Sequence, residues 1–297
     1  MLKVILMVTM SAHDLSAVER AYHDYLGYKV VERGRVIRAL AGVWGAPATA
    51  GRAYLLMQPQ SGEKVYLRFV QSEPTEGYAP LRTLGWNSTE ILVQDVDGLA
   101  EKLANSPFRI IGPPRNLSSI ESIRAMQVIG PANEVLYLTH IPPGGTGFNL
   151  GSARTFVDRV FIVVLGGSDM QAMRDFYANK MKLAVTELSG VRISVLSNAH
   201  GLDSAHKHKL AIARLPERFL IEIDEYPKSA VARPRRGGDL LPGMAMVSFD
   251  VESLDDLGLA LIHPPAKIDA APYNGRRVAV TIGAAGEMIE LIENCVP

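Results

Sequence analysis

Side chains suited to metal or nucleophilic chemistry are few and widely spaced in this sequence. The chain has seven histidines and one cysteine, Cys295. His206 and His208 are two residues apart, which would place both on one face of a strand, but two ligands without a third do not make a zinc or iron site. Lysines alternate with them, and the segment 198–208 is typical of an exposed loop. We therefore expect no metal site at this pair.

The common catalytic templates are absent from the sequence. It contains no P-loop, no dinucleotide-binding fingerprint, no nucleophile elbow and no His-Glu-x-x-His helix. Its 31 basic residues balance 31 acidic ones, so no overall field would attract nucleic acid or an anionic membrane surface. The expected partner is a small molecule, with no nucleotide cofactor.

The apolar stretch at the start of the chain could be mistaken for a targeting segment. Residues 1–10 are too few to cross a membrane, and no small-residue cleavage site follows them. A similar stretch recurs at 160–165, which favours a strand. A single cysteine allows no intramolecular disulfide, so we expect a protein of the reducing cytoplasm.

An internal repeat organises the chain. Residues 6–15 (LMVTMSAHDL) align with 161–170 (FIVVLGGSDM), and 130–138 (GPANEVLYL) align with 283–291 (GAAGEMIEL). The offsets are close to 155 residues throughout. The two halves therefore read as duplicates of about 150 residues each.

Each half divides again into two units. An apolar strand is followed by a capping residue, by apolar positions at helical spacing, and by two or three short β-like runs. The pattern predicts an α+β fold of four βαβββ units. The predicted N-terminal domain is 1–145, with units 1–72 and 86–141. The predicted C-terminal domain is 155–297, with units 155–227 and 243–297.

These motifs resemble the vicinal oxygen chelate superfamily of glyoxalase I, extradiol dioxygenases and bleomycin-resistance proteins. The resemblance lies in Asp14-Leu15 through Tyr28, in Gln94 to Asp97 and in the closing segment Gly283 to Glu293. It implies that units pair into curled mixed-sheet cups, the first with the second and the third with the fourth. Four units in one chain are most similar to the extradiol dioxygenases.

The resemblance also implies where a metal would be held. First-strand ligand positions fall at Leu6 or Met7, at Ser88 or a neighbour, at Phe161 or Ile162, and at Gly243 or Met244, and none is a histidine. An iron oxygenase needs two histidines and a carboxylate, so the metal site is expected to be lost. We expect no cofactor, with iron or manganese as the alternative. A shift of two residues would bring in Glu90.

The last-strand positions implied by the resemblance are Glu290, Tyr137, Glu222 and Arg68. Glu222 and Glu290 are expected in the same cup, where repulsion and desolvation would raise the pKa of at least one carboxyl and make it a general base. The alternative is that both are surface charges. His263, expected near the rim of that cup, is a further catalytic candidate. Any metal would use Glu290.

The N-terminal cup is expected to hold Arg68 and Tyr137, with Ser88 on its first strand. Together these side chains could bind a carboxylate or phenolate through guanidinium and hydroxyl donors. The alternative is a buried structural pair, since large aromatic side chains are commonly core residues.

The leading hypothesis is an enzyme that performs lyase or isomerase chemistry without a metal on a small, largely apolar, oxygenated compound, with aromatic compounds among the candidates. Glu290 would be its acid/base and Glu222 would adjust the proton affinity of Glu290. One alternative is a metal-free protein that binds and sequesters a ligand. Another is an extradiol-type dioxygenase with unusual ligands. Short apolar edge segments also permit a homodimer.

Overall fold

The computed structural model describes residues 2–117, 120–144, 148–255 and 257–294. The first unit contains β1 (Leu2–Ala12), α1 (Leu15–Leu26), β2 (Lys29–Arg35), α2 (Arg38–Val43), β3 (Ala53–Gln58) and β4 (Tyr66–Gln71). The second contains β5 (Gly85–Val93), α3 (Val96–Leu103), β6 (Arg109–Asn116), β7 (Arg124–Ile129) and β8 (Val135–His140).

The third and fourth units repeat most of this order. The third contains β9 (Val157–Gly167), α4 (Met170–Asp175), β10 (Ala184–Val185), β11 (Ser189–Val191), α5 (Ser194–Ala199), β12 (His208–Arg214) and β13 (Leu220–Glu225). The fourth contains β14 (Met244–Val251), β15 (Ala266–Ile268), β16 (Arg276–Ile282) and β17 (Met288–Glu293).

The helices that follow the first strands begin where the sequence predicts. Asp14 caps α1 by accepting a hydrogen bond from the Ala17 amide at 2.9 Å, and Asp169 caps α4 through the Ala172 amide at 2.9 Å. Gly27 ends α1 in the left-handed conformation, with φ of 72°. Local capping chemistry therefore sets these helix ends.

The fourth unit lacks the helix expected after its first strand. Leu254 is buried in the core, but the described residues between Val251 and Ala266 form no helix. Gly258 adopts a left-handed φ of 63°, and Pro264 follows within six residues. Both features interrupt helical hydrogen bonding, so the apolar spacing alone was misleading here.

The strands form two curled mixed sheets, which confirms the predicted α+β class. The first sheet has eight strands in the order β15-β16-β17-β14-β1-β4-β3-β2. The second has nine strands, eight of them on its main path in the order β10-β12-β13-β9-β5-β8-β7-β6, and the ninth, β11, pairs with β12. Each sheet therefore contains strands from both halves of the sequence.

The expected pairing of units is wrong. The antiparallel pair β1 and β14 joins the first unit to the fourth, and the pair β5 and β9 joins the second to the third. All of β5, β9 and β14 and most of β1 are buried, so their apolar patterns do not distinguish one partner from another. The domain bounds 1–145 and 155–297 stay a prediction.

The largest core cluster lies between the two sheets. It combines helix residues such as Val18 and Leu99 with strand residues such as Ile221 and Ile289. Because side chains alternate along a strand, the neighbouring positions of these strands face the opposite, concave sides of the sheets. Among the described residues, no helix has the length and apolar composition needed to span a membrane.

Candidate active site

The concave side of each sheet forms a cup. The two cups carry different side chains at the equivalent positions of their first and last strands. In the eight-stranded sheet, Thr9 is in register with Arg68, and Ser248 with Glu290. We call this the closed cup. In the nine-stranded sheet, Glu90 is in register with Tyr137, and Val164 with Glu222. We call this the open cup.

Glu290 and Arg68 form a buried ion pair at the centre of the closed cup. Arg68 Nη2 lies 3.5 Å from Glu290 Oε2, and the two residues are 1% and 0% exposed. The Tyr273 hydroxyl accepts a hydrogen bond from Arg68 and donates to Glu290 at 2.8 Å. Burial alone would lower the pKa of Arg68, but Tyr273 and Glu290 outweigh it and raise the pKa above its ordinary value.

Further donors complete this network. The Trp44 indole N–H donates to Glu290 Oε1 at 2.7 Å, and the Ser248 hydroxyl donates to Oε2. Arg68 Nε and Nη2 donate to the Thr9 hydroxyl at 3.0 and 2.8 Å. The four corresponding concave positions of this cup therefore bind one another, with no group left for a substrate.

Apolar packing closes the same cup. Trp44 ends α2, is fully buried and lies over the Arg68 guanidinium, 4.5 Å from ring centre to carbon. Leu40, Val43 and Met246 pack around it in one buried cluster. The indole occupies the space that a bound molecule would need.

The open cup contains a cavity of about 290 Å³. In the third unit α5 takes the place of α2, and it ends at His200 where α2 ends at Trp44. The His200 ring is held elsewhere, 2.9 Å from the Leu81 carbonyl and 2.7 Å from the Ser229 hydroxyl. No large ring therefore fills this cup from α5.

The cavity has an acidic floor and apolar walls. Its polar lining residues are Glu90, Gln127, Tyr137, Thr139 and Glu222 towards the strands, with Arg115, Asn116, Arg192 and Ser194 nearer solvent. Its apolar lining residues are Leu117, Ala125, Val191, Ile193, Val195 and Leu210. Such a lining suits a small molecule with an apolar body and a few polar groups.

Two carboxyls on the floor have raised proton affinities. Burial raises the pKa of Glu222 to about 7. Burial, and then the charge of Glu222, raise the pKa of Glu90 well above its usual range, against a hydrogen bond from Thr139 at 3.3 Å. Glu222 remains partly exposed to the cavity, whereas Glu90 is 8% exposed. Glu222 is therefore the carboxyl that can exchange a proton with a bound molecule near neutral pH.

A third carboxyl lies behind the floor. Asp224 is two residues from Glu222 on β13, is 1% exposed, and its Oδ1 atom has no hydrogen-bond partner. Burial, and then the charges of Glu222 and Glu90, raise the pKa of Asp224 well above its ordinary value. Burial and the nearby Tyr226 and acidic groups also raise the pKa of Tyr137, which stays protonated. The floor is therefore mostly neutral and rich in acidic protons.

The structure separates residues that the sequence was expected to bring together. Glu222 and Glu290 lie in different cups, and so do Tyr137 and Arg68, so the expected sharing is wrong in both cases. The cause is the pairing of units described above. Glu290 is fully engaged in the closed cup, while Glu222 and Tyr137 line the open one.

The remaining predicted residues lie outside the cavity. Ser88 is buried two residues before Glu90, with its hydroxyl unpartnered, and does not line the cavity. His263 is exposed beside the Pro264 carbonyl and reaches neither cup. His208, expected in an exposed loop, is buried at the start of β12, and its ring is 3.0 Å from the Ser197 hydroxyl. Cys295 lies outside the described residues.

Sequence reasoning missed Glu90 as a main site residue and missed Gln127, Thr139, Arg115 and Arg192 altogether. Glu90 carried a detectable signal, because it is the single charged residue in β5, whose nine residues are all buried. A charge in such a strand is rarely structural without a partner. The polar and cationic residues on β6, β7 and β8 carried no comparable signal.

The donor set does not fit the metal that the family resemblance implies. Within the described parts of the chain, no three His, Cys, Asp or Glu side chains are placed to hold an ion together. In the closed cup, the guanidinium of Arg68 occupies a position where a metal ligand would be needed. In the open cup, the apolar side chain of Val164 occupies another such position. A two-histidine, one-carboxylate iron centre cannot be built from these residues.

Comparison with known proteins agrees with the architecture. No family model matches the chain, and no curated protein matches it in sequence. The fold is similar to that of glyoxalase I from Zea mays, with TM-score 0.65 and 13% identity over 97% of this chain and 92% of that one. It is also similar to a putative dioxygenase from Bacillus subtilis, with TM-score 0.62 and 11% identity over 99% and 86% of the two chains. The chain therefore has the glyoxalase/dioxygenase-like fold that its resemblance to the vicinal oxygen chelate superfamily predicted.

Proposed function

We propose that the protein binds a small oxygenated, aromatic molecule in the open cup and transfers a proton within it, without a metal. The observation that carries this proposal is Glu222, a carboxyl on the floor of a cavity of about 290 Å³ whose pKa is raised to about 7. A base with a pKa near ambient pH is present in its active form and still has driving force for proton abstraction. This moves the expected acid/base role from Glu290 to Glu222.

The arrangement suits removal of a proton from carbon next to a carbonyl. The Glu222 carboxylate takes the proton, the C–H bond breaks, and the electron pair moves onto the carbonyl oxygen as an enolate. In an α-hydroxy ketone, the α-hydroxyl passes its proton to the enolate oxygen and becomes the new carbonyl, while Glu222 returns its proton to the former carbonyl carbon, which completes an isomerisation. Where the carbon next to the deprotonated one carries a leaving group, that group departs with its bonding pair while the enolate electrons form the new double bond, which completes a lyase reaction. In both cases the base must face the reacting carbon, as a residue lining the cavity can.

The developing oxyanion needs hydrogen-bond donors. Tyr137 stays protonated because burial raises the pKa of its hydroxyl, and no hydrogen bond engages that hydroxyl among the residues described. The raised pKa of Glu90 makes it a second donor in its neutral form. Preformed donors of this kind supply much of the rate enhancement in enolate chemistry.

A second candidate function is sequestration of a ligand without turnover. The six apolar side chains that line the cavity favour it, because they would hold an apolar body without any catalytic group. The two functions differ in whether bound molecules exchange carbon-bound protons. The extradiol alternative is separate, since it requires iron or manganese in stoichiometric amount in the purified protein.

Hydrogen exchange at carbon tests the proposal. The protein is incubated in D2O with acetophenone, 2-hydroxyacetophenone or 3-benzoylpropionate, and loss of the proton next to the carbonyl is followed by NMR. We expect exchange above the buffer rate for at least one compound, with a loss of about 100-fold or more in Glu222→Gln. Glu217→Gln, an exposed carboxylate in the turn before the same strand, is the control and keeps the rate.

The outcomes separate the hypotheses. Binding of these compounds without any exchange favours sequestration. Exchange that survives in Glu222→Gln contradicts the proposed base. Neither binding nor exchange with any of the three compounds contradicts the proposed substrate class.

A further inference from the structure

Two arginines line the open cup near solvent. Arg115 is on β6 of the second unit, and Arg192 immediately follows β11 of the third. Both are exposed, and both line the cavity that contains Glu222. We call Arg115 and Arg192 the rim arginines. They bring positive charge from two separate units to one opening.

The rim arginines are not neutralised by the protein. Arg115 Nη1 donates to the Ser194 hydroxyl at 2.9 Å, and across the described chain neither arginine forms an ion pair. A nearby arginine, by contrast, is paired with a carboxylate. Arg124 on the adjacent strand β7 donates to both carboxylate oxygens of Asp97 at 2.6 Å each. Guanidinium groups beside a cavity with no carboxylate partner are suited to an anionic ligand.

The floor imposes the opposite requirement. Glu90, Glu222 and Asp224 lie at or behind it, and the pKa of each is raised because burial disfavours a negative charge there. A second anionic group on the ligand would meet these carboxyls and would disfavour their ionisation still further. The molecule must therefore be neutral at its inner end.

We propose that the open cup selects small monocarboxylates. The carboxylate is held by Arg115 and Arg192, an apolar or aromatic body lies along the walls, and a neutral carbonyl or hydroxyl reaches Glu222. This inference rests on the proposed function for the identity of the site, and it adds the substrate class. Rim recognition is electrostatic, so it weakens as salt screens the charges.

Isothermal titration with matched probes tests the inference. The probes are 3-benzoylpropionate, its primary amide, and phenacyl phosphate, which carries the same aryl ketone with a dianionic end. We expect the carboxylate to bind about tenfold or more tightly than the amide at low salt, with the preference shrinking at high salt. Phenacyl phosphate distinguishes a carboxylate site from a general oxyanion site, and tighter binding of the phosphate overturns the monocarboxylate assignment.

Matched variants locate the effect. Arg115→Gln and Arg192→Gln are each expected to weaken carboxylate binding about fivefold and to leave amide binding unchanged. Arg109→Gln makes the same charge change at the other, exposed end of β6, away from the cavity, and is the control. These positions are exposed, so circular dichroism should show the fold unchanged in all three variants.

The result is separable from the test of the proposed function. Titrations are repeated in Glu222→Gln, which cannot act as the base but keeps both rim arginines. A carboxylate preference that persists there supports the inference even if no compound exchanges protons. Equal binding of carboxylate and amide, failure of both to bind, or equal losses in Arg109→Gln and the rim variants overturns it, whatever the exchange experiment shows.

Discussion

Replacing Arg68 with methionine should destabilise the protein strongly while leaving the open cup intact. Methionine keeps much of the length and apolar surface of the arginine but removes its charge and its donors. Glu290, which is 0% exposed, would then be buried without a cation, and Thr9 and Tyr273 would lose their partner. The variant therefore probes the ion pair rather than the packing.

The magnitude follows from the geometry. Two unit charges 3.5 Å apart attract by about 5 kcal/mol at an effective dielectric constant of about 20. Removing one member of a buried pair typically costs about 3 to 5 kcal/mol, because the remaining charge keeps its desolvation penalty. We expect the free energy of unfolding to fall by about 4 kcal/mol in Arg68→Met.

Urea unfolding followed by tryptophan fluorescence measures this loss. Trp44 is a direct reporter, because its indole donates to Glu290. The double variant Arg68→Met/Glu290→Gln removes the orphaned charge and should recover about 1 to 3 kcal/mol of the loss. Proton exchange at the open cup should persist in the variants under conditions where they remain folded.

Two results would refute this reasoning. A loss below about 1 kcal/mol in Arg68→Met would mean that the ion pair does not hold the closed cup together. Abolished exchange in a folded Arg68→Met protein, with normal exchange in Glu222→Gln, would place the active centre in the closed cup.

Three further predictions concern protons and space. Burial raises the pKa of both Glu134 and Glu287 to about 7, against hydrogen bonds from tyrosine and backbone donors. Because the native state then binds more protons than the unfolded state, these groups contribute stability below about pH 4.5 that is lost as pH rises through 7, about 3 kcal/mol each. Urea midpoints at pH 5 and 8 should show this loss, and Glu134→Gln/Glu287→Gln should reduce it by the share of these two groups, whereas an unchanged pH dependence in the double variant would contradict the prediction. The exchange rate should rise through about pH 7 and then level off if Glu222 is the base, and a rate that falls over this range would exclude that role. Val195→Trp should fill the open cup and abolish titration heats with 3-benzoylpropionate while the protein stays folded by circular dichroism, and normal binding would show that the ligand lies elsewhere.

The sequence contained enough information for the architecture but not for its assembly. The confirmed elements were predicted from local signals. These are strands with alternating apolar residues, recurring motifs, and helix-capping residues such as Asp14 and Asp169. The choice between possible strand partners depends on long-range packing instead. Buried first strands with similar apolar patterns give no local reason for β1 to select β14 rather than β5.

On β1 and β5, first-strand positions that the family resemblance implied lie two residues away from the concave residues Thr9 and Glu90. Met7 and Thr9 share a face of β1, and Ser88 and Glu90 share a face of β5. The residues that pair with Arg68 and Tyr137 are Thr9 and Glu90, two positions after Met7 and Ser88. Register shifts interrupt the pairing of both strands with their antiparallel partners. Alternation predicts the face, whereas depth depends on pairing and bulges that no single strand encodes.

The two cups show two ways to accommodate a buried carboxyl group. In the closed cup Glu290 is neutralised by Arg68, a cation that stays charged at any ordinary pH and cannot leave. In the open cup Glu222 and Glu90 have no such partner among the described residues, and their raised pKa values show that protons reduce their charge instead. A proton can be given to and taken from a bound molecule, whereas a guanidinium cannot be transferred at all. This difference is the reason that the proposed acid/base chemistry is assigned to the cup where the arginines remain at the rim.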